Sequence, residues 1–302
     1  MLLAILTAFL RPAIHSISCI VDSHFSNNLF KRPTTLIFYS TAITPIFSIP
    51  LIFLFGTPEI PPIEIVPLIL AIGAIEVMYQ IPYYKALKKL DTSIIVSLFS
   101  LSRILIPVLA FFMVGERLSI VQYIGFFLII AATFIMSISR KDRKFKLSAA
   151  FWMMALVALI LAFANIFEKM TLEKISWFSL AFWYMLTATG LSWLFLIGRE
   201  SRRDIVASFG TFRKNFKLFM MTEYFNAAAL FAGLYALSIL PVTVRSSISS
   251  TQPMFTLFFG WLFKKIGYAR HIKEEISKRD LIKKILGYIT IIIGVVMIIA
   301  NM

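Results

Sequence analysis
The stretch Tyr84–Ser137 reads YKALKKLDTSIIVSLFSLSRILIPVLAFFMVGERLSIVQYIGFFLIIAATFIMS. Two apolar runs, Thr92–Val114 and Ile120–Ser137, flank a tight turn carrying Gly115-Glu116-Arg117-Leu118. Each run is close to the roughly twenty residues an α-helix needs to cross about 30 Å of hydrocarbon. Much of the stretch recurs between Leu234 and Ile299. That recurrence decides the fold.

With Ala86-Leu87 set against Ala236-Leu237, Leu90 meets Leu240, Ser93 meets Thr243, Ser97 meets Ser247 and Ser100 meets Ser250. Beyond the turn, Gly125-Phe126-Phe127 matches Gly287-Tyr288-Ile289 once the second copy is given an insertion, the basic loop Lys264–Lys284. A weaker echo links Ile20-Val21-Asp22 to Ile166-Phe167-Glu168. The repeat units are residues 1–146 and 147–302. Their spans are expected at 2–20, 34–55, 64–86, 92–114 and 119–139, then 149–167, 178–197, 217–240, 242–263 and 282–300. The fold class is therefore an all-α polytopic membrane protein of ten transmembrane helices in two five-helix repeats. An odd number of spans per unit makes the second copy enter the membrane from the opposite side. Such inverted repeats place a substrate site near the bilayer midplane and alternate access by rocking one half against the other.

Composition agrees. The 302 residues are 59% hydrophobic and 15% charged, against about half and about a quarter in soluble domains. The runs lack the alternation of barrel strands. Lys and Arg number 30 against 15 Asp and Glu. These cations sit in short loops beside apolar runs, so they are read as topology signals rather than a nucleic-acid surface. A single cysteine, Cys19, excludes an internal disulfide and a cysteine-rich metal site. The first twenty residues lack a basic leader and a clear cleavage site and are read as the first span.

The pattern Tyr84-x-Ala86-Leu87, a polar-faced span, Pro107, then Gly115-Glu116-Arg117-Leu118, Gln122 and Gly125 resembles the EamA domain of the drug/metabolite transporter superfamily. The first copy is close. The second departs, with Lys265-Ile266 where glycine-glutamate is expected. The resemblance implies a multi-pass protein of a prokaryotic plasma (inner) membrane that exports a metabolite or amino acid, often with proton coupling, and no cofactor.

The loops after spans 1, 3, 5, 7 and 9 hold nearly all the cations. The opposite loops show little beyond Arg117, Lys169, Lys174 and Arg245. The positive-inside rule then places both termini outside the cytoplasm, although ten-span relatives are usually drawn with both inside.

Ionisable groups inside the hydrocarbon are functional candidates by default. Glu76 lies mid-span, with Tyr79, Gln80 and Tyr83 on its face. Under the repeat, Glu76 corresponds to Asn226, one turn from Glu223. Ser93, Ser97, Ser100, Arg103 and Pro107 lie near one face of span 4. The stripe returns as Ser246, Ser249, Ser250 and Pro253 without the arginine. Helix packing accounts for such serines as well as a pathway does. Arg103 needs a partner, either Glu76 or Glu223 in an ion pair or an anionic substrate group. Arg11 and His15 sit one turn apart in span 1. Histidine changes charge near neutral pH, but a neutral, hydrogen-bonded His15 is the simpler reading and Glu76 the better candidate for proton coupling. Glu116 is read as structural, capping a helix or pairing with Arg117.

The expected substrate and proton pathway is thus Glu76, Tyr79, Gln80, Arg103, Glu223, Asn226, Arg11 and His15. It suits a small polar molecule. The lipid bilayer is the other partner, with anionic headgroups at Lys264–Lys284 as a candidate contact. That basic loop also motivates a second reading, a lipid or lipid-linked sugar flippase. The three histidines, His15, His24 and His271, show no metal-pair spacing, and H-E-x-x-H, G-x-S-x-G and P-loop motifs are absent. An enzyme is not expected, and a membrane-embedded enzyme or non-transporting receptor stands as the alternative of another class.

Overall fold
The computed structural model describes residues 1–89, 95–96, 98–137, 149–265 and 278–300. Ser93, Ser97 and most of the basic loop Lys264–Lys284 lie outside the described residues. Among the described residues the structure is helical and without strands. The first half contains α1 (Leu2–His24), α2 (Pro33–Ile52), α3 (Val66–Leu87), α4 (Ser100–Met113) and α5 (Ile120–Ser137). The second contains α6 (Ala149–Leu172), α7 (Trp177–Ser192), α8 (Arg199–Ala207), α9 (Phe209–Lys214) and α10 (Phe216–Ile239). It continues through α11 (Val242–Ser249), α12 (Gln252–Lys265) and α13 (Lys278–Ile299).

Five helical segments are long and apolar enough to cross a membrane: Leu2–Leu29, Pro33–Ile52, Ile63–Leu87, Phe151–Leu172 and Trp177–Leu196. Apolar side chains point outward at helical spacing. On α1, Leu2, Leu6 and Leu10 are exposed while Ala4, Ala8 and Pro12 are buried. On α13, Ile289, Ile293 and Val296 are exposed while Ile291, Val295 and Ile298 are buried. Much of the interior is polar instead. Asp22, Arg103, Glu168, Glu223 and Arg245 are all buried. Polar groups inside and hydrocarbon outside is the arrangement a lipid solvent favours.

The two halves interleave. Helix α1 packs on α10 and α12, α3 on α6 and α7, α4 on α6, and α5 on α13. Glycine allows the closest approach. A Cβ at Gly125 of α5 would lie 2.6 Å from the Gly294 carbonyl oxygen of α13. So α5 meets α13 through Gly125 and Gly294. A Cβ at Gly233 of α10 would strike the Arg11 side chain, 2.5 Å from Cδ. Gly233 therefore makes the room that Arg11 occupies.

Four features differ from the sequence expectation. The ninth span is two helices, α11 and α12, separated at Ser250 and Thr251. Hydroxyls of Ser247, Ser249 and Thr251 donate to the carbonyls of Thr243, Arg245 and Ile248, which competes with regular helix pairing. Pro253 has no N–H and is suited to the first turn of the new helix. Second, Asp22 and Glu168 fall inside longer helices, because α1 and α6 run past positions 20 and 167. Third, Arg245 is buried rather than in a loop. Fourth, Lys169 is not a free loop cation. Its Nζ donates to the Leu237 and Leu240 carbonyls at 3.1 and 3.2 Å, capping the end of α10 as a cation does best.

Glu116 does cap a helix, in the other half of the chain. Its Oε2 accepts from the Val242 N–H at 3.0 Å and its Oε1 from the Thr243 N–H at 3.1 Å. Arg117 instead lies over the Phe111 ring, 6.0 Å from its centroid. Gly115 is at φ 74, a left-handed conformation that glycine adopts without strain. At the opposite end of the bundle, Lys88 Nζ donates to the Lys31 carbonyl at 2.6 Å. Beside it Arg32 bridges Glu200 at 2.9 Å and Asp204 at 2.5 Å. The loops after α1 and α3 thus gather with α8 on one face.

Candidate functional site
The site is built from proline-bearing helices of the first half and facing helices of the second. Pro12, Pro45, Pro82 and Pro107 lie inside α1, α2, α3 and α4. Each removes one backbone donor from its helix. Ser16 Oγ donates to the Pro12 carbonyl at 2.6 Å and lies 3.1 Å from the Gln252 carbonyl, tying α1 to α12 one turn beyond Pro12.

Two adjoining polar cavities open between these helices, of about 140 and about 120 Å³. Six residues line both: Arg11, His15, Glu76, Tyr79, Phe99 and Tyr184. The first cavity adds Gln80, Glu223 and Asn226, the second Arg103. All eight residues named from the sequence therefore face this one region.

In the first cavity, Glu76 Oε1 accepts from Gln80 Nε2 at 3.0 Å and from the Tyr79 hydroxyl at 3.4 Å. Glu223 Oε2 accepts from Thr44 Oγ1 at 2.8 Å and from Asn226 Nδ2 at 3.2 Å. The side-chain hydrogen bonds of both carboxylates thus come from neutral donors and not from Arg103, so of the two expectations for Arg103 the ion pair with Glu76 or Glu223 is not seen here. Ser40 faces the Glu223 carboxyl, but Glu223 Oε1 has no hydrogen bond of normal geometry.

The second cavity is organised by Gln252. Its Oε1 lies 3.5 Å from Arg103 Nη2, and its Nε2 lies 2.9 Å from His15 Nδ1. The Cys19 sulfur is 3.8 Å from the same imidazole nitrogen. Arg245 Nη1 donates to Asn165 Oδ1, and Arg245 Nη2 lies 3.7 Å from Glu168 Oε2. Ser246 and Ser249, from the second-half stripe, also line this cavity; the Ser246 hydroxyl is buried without a partner.

Charge is unevenly divided. The first cavity carries Asp22, Glu76 and Glu223 against Arg11. The second carries Arg11, Arg103 and Arg245 against Glu76 and Glu168. Among the described residues, no group of three or more His, Cys, Asp or Glu is placed to hold a metal ion. What the arrangement offers is binding: opposite charges, hydroxyls and tyrosines within a small internal volume.

Sequence reasoning did not single out Asp22, Glu168, Arg245, Tyr184 and Gln252, which also line these cavities. Asp22 and Glu168 had left a signal. They are the echo pair of the repeat, one at the end of α1 and the other near the end of α6.

The EamA-like transporter family model matches residues 2–138. No curated protein matches the chain. A solved structure described only as "Crystal structure of protein" covers 97% of this chain and 95% of its own, with TM-score 0.66 and 16% identity. At that identity it speaks to the fold alone. Members of the matched family are transporters, not enzymes. By that match residues 2–138 are an EamA-like transporter domain of the drug/metabolite transporter superfamily, and the chain that carries it is a multi-pass membrane protein.

Proposed function
We propose that the protein is a secondary transporter that exports a small polar metabolite by alternating access, driven by protons, between inverted five-helix repeats at 1–146 and 147–302. The observation that carries this reading is the pair of charged cavities lined by helices of both halves. Polar clefts between repeat units are where transporters of this kind hold substrate. The break between α11 and α12 supports it too, because interrupted helices supply backbone groups at such sites.

Glu76 is the proposed proton-coupling group. It lines both cavities, and its hydrogen-bond partners are neutral, so protonation breaks no ion pair within hydrogen-bond distance. The proposed site comprises Glu76, Tyr79, Gln80, Arg103, Glu223, Asn226, Arg11 and His15. The proposed setting is a prokaryotic plasma membrane with both termini outside the cytoplasm. The face bearing Lys31, Lys88 and Arg202 then meets the cytoplasm, with the Lys264–Lys284 loop against anionic lipid headgroups.

The test is flux in proteoliposomes against a metabolite and amino-acid panel, with and without a pH gradient. The expected result is gradient-driven flux in the wild type. In Glu76→Gln the gradient response is lost while passive exchange persists. Flux no greater than in empty vesicles, from protein shown to be folded, overturns the transporter reading. Gradient-driven flux that survives in Glu76→Gln removes Glu76 from the coupling role.

A further inference from the structure
Two charges in the first cavity are not matched by the protein. Arg11 is the first. Among the described residues no carboxylate lies within 4.0 Å of its guanidinium; it senses Glu76 and Glu168 only at longer range. Gly233 leaves its side chain room beside α10. Glu223 is the second. It is 3% exposed, and the groups facing its carboxyl, Thr44, Asn226 and Ser40, are all neutral. Its charged neighbour is another carboxylate, Asp22, itself touched by the Tyr83 hydroxyl at 3.4 Å. A buried charge without a counter-charge is costly and calls for a partner.

The two unmatched charges are far apart. Arg11 and Asp22 both lie on α1. Eleven residues make three helical turns, so both lie on one face, separated by roughly 16 Å along the axis. Glu223 sits with Asp22, and Arg103 lies toward Arg11, whose charge it senses. The first cavity touches Arg11, Asp22 and Glu223 alike. The oppositely charged groups of an α-amino acid are two bonds apart. Such a ligand meets Arg11 and Glu76 together and leaves Glu223 unmatched.

Resting on the transporter reading, we propose that the substrate is an elongated bipolar molecule. Its carboxylate or phosphate pairs with Arg11, and its amine or quaternary ammonium group, several bonds away, pairs with Glu223 and Asp22. Tyr79, Tyr83 and Tyr84 line the path between the ends, where aromatic faces attract a cation.

The experiment is uptake into proteoliposomes of an unbranched series from glycine through 4-aminobutyrate to 6-aminohexanoate. Butylamine and butyrate serve as one-charge controls. 3-Aminopropylphosphonate, the phosphonate analogue of 4-aminobutyrate with the same number of bonds between the charges, separates carboxylate from phosphate preference. The expected result is entry of the longer bipolar probes about tenfold faster than glycine or either control, the effect of roughly one matched charge. Glu223→Gln is expected to abolish that length preference, and Asp22→Asn to weaken it, with each variant's fold verified by its melting temperature. Equal or faster glycine entry overturns the proposal and leaves the transporter reading standing. The same holds if butylamine or butyrate enters as fast as the bipolar probes, or if both variants keep the wild-type length preference. Flux of no probe, nor of any metabolite in the wider panel, overturns both.

Discussion

Replacing Glu116 by alanine is expected to destabilise the protein through a contact on the other half of the chain. The carboxylate accepts from the N–H groups of Val242 and Thr243, the first two residues of α11. Those donors have no acceptor within their own helix. Val242 is 0% and Thr243 1% exposed, so water does not readily replace the lost oxygens. Removing a helix N-cap costs about 0.5–2 kcal/mol. Two charge-assisted bonds at the positive end of the helix dipole place this site near the top of that range, about 2 kcal/mol. At roughly 2–4 °C per kcal/mol the melting temperature falls by about 4–8 °C. Thermal unfolding of detergent-solubilised protein reads this directly with a thiol-reactive dye, because Cys19 is the sole cysteine and is buried. Glu116→Gln keeps one acceptor oxygen and should fall between wild type and alanine. Arg117→Ala should not reproduce the drop, since Arg117 sits over Phe111. An unchanged melting temperature in Glu116→Ala, or an equal drop in Arg117→Ala, would refute the capping argument.

Gly125→Ala puts a methyl group 2.6 Å from the Gly294 carbonyl oxygen, and overpacking of this kind costs about 1–3 kcal/mol. Gly190→Ala, in α7 with open space around it, should be neutral or gain up to about 1 kcal/mol from helix propensity. A melting-temperature scan that ranks these two variants in the opposite order contradicts the packing. Arg245→Met leaves buried Glu168 without its cation, a loss of about 3–5 kcal/mol. Adding Glu168→Gln should recover most of it, and a double variant no more stable than the single one contradicts the pairing.

The helices were legible because hydropathy is local. A run such as Ile120–Ser137 must bury or be lipid-coated whatever surrounds it, and α5 occupies that run. Proline positions were legible for the same reason. Chain breaks set by side-chain hydroxyls were not. The run 242–263 is apolar enough to read as one span, yet Ser249, Thr251 and Pro253 divide it. Several cavity-lining residues were visible because a charge inside an apolar run stands out, as Glu76 and Arg103 do. Arg245 was hidden because it follows Pro241 and looks like a loop cation, although it is buried against Asn165 and Glu168.

The turn Gly115-Glu116-Arg117-Leu118 marks the division between the two kinds of information. Composition and spacing alone determined that it joins two apolar helices, and its motif resembles that of the EamA family whose model matches residues 2–138. Those properties depend on neighbours in the chain. The partner of Glu116 is 126 residues away, and a carboxylate carries no record of which distant N–H groups it will meet. The same holds inside the cavities. The sequence lists the charges, but whether Glu223 meets a guanidinium or only Thr44 and Asn226 depends on how α2 and α10 face one another. Electrostatic pairing acts over a few ångströms, so only the tertiary structure decided which charges meet an opposite charge and which meet only neutral groups.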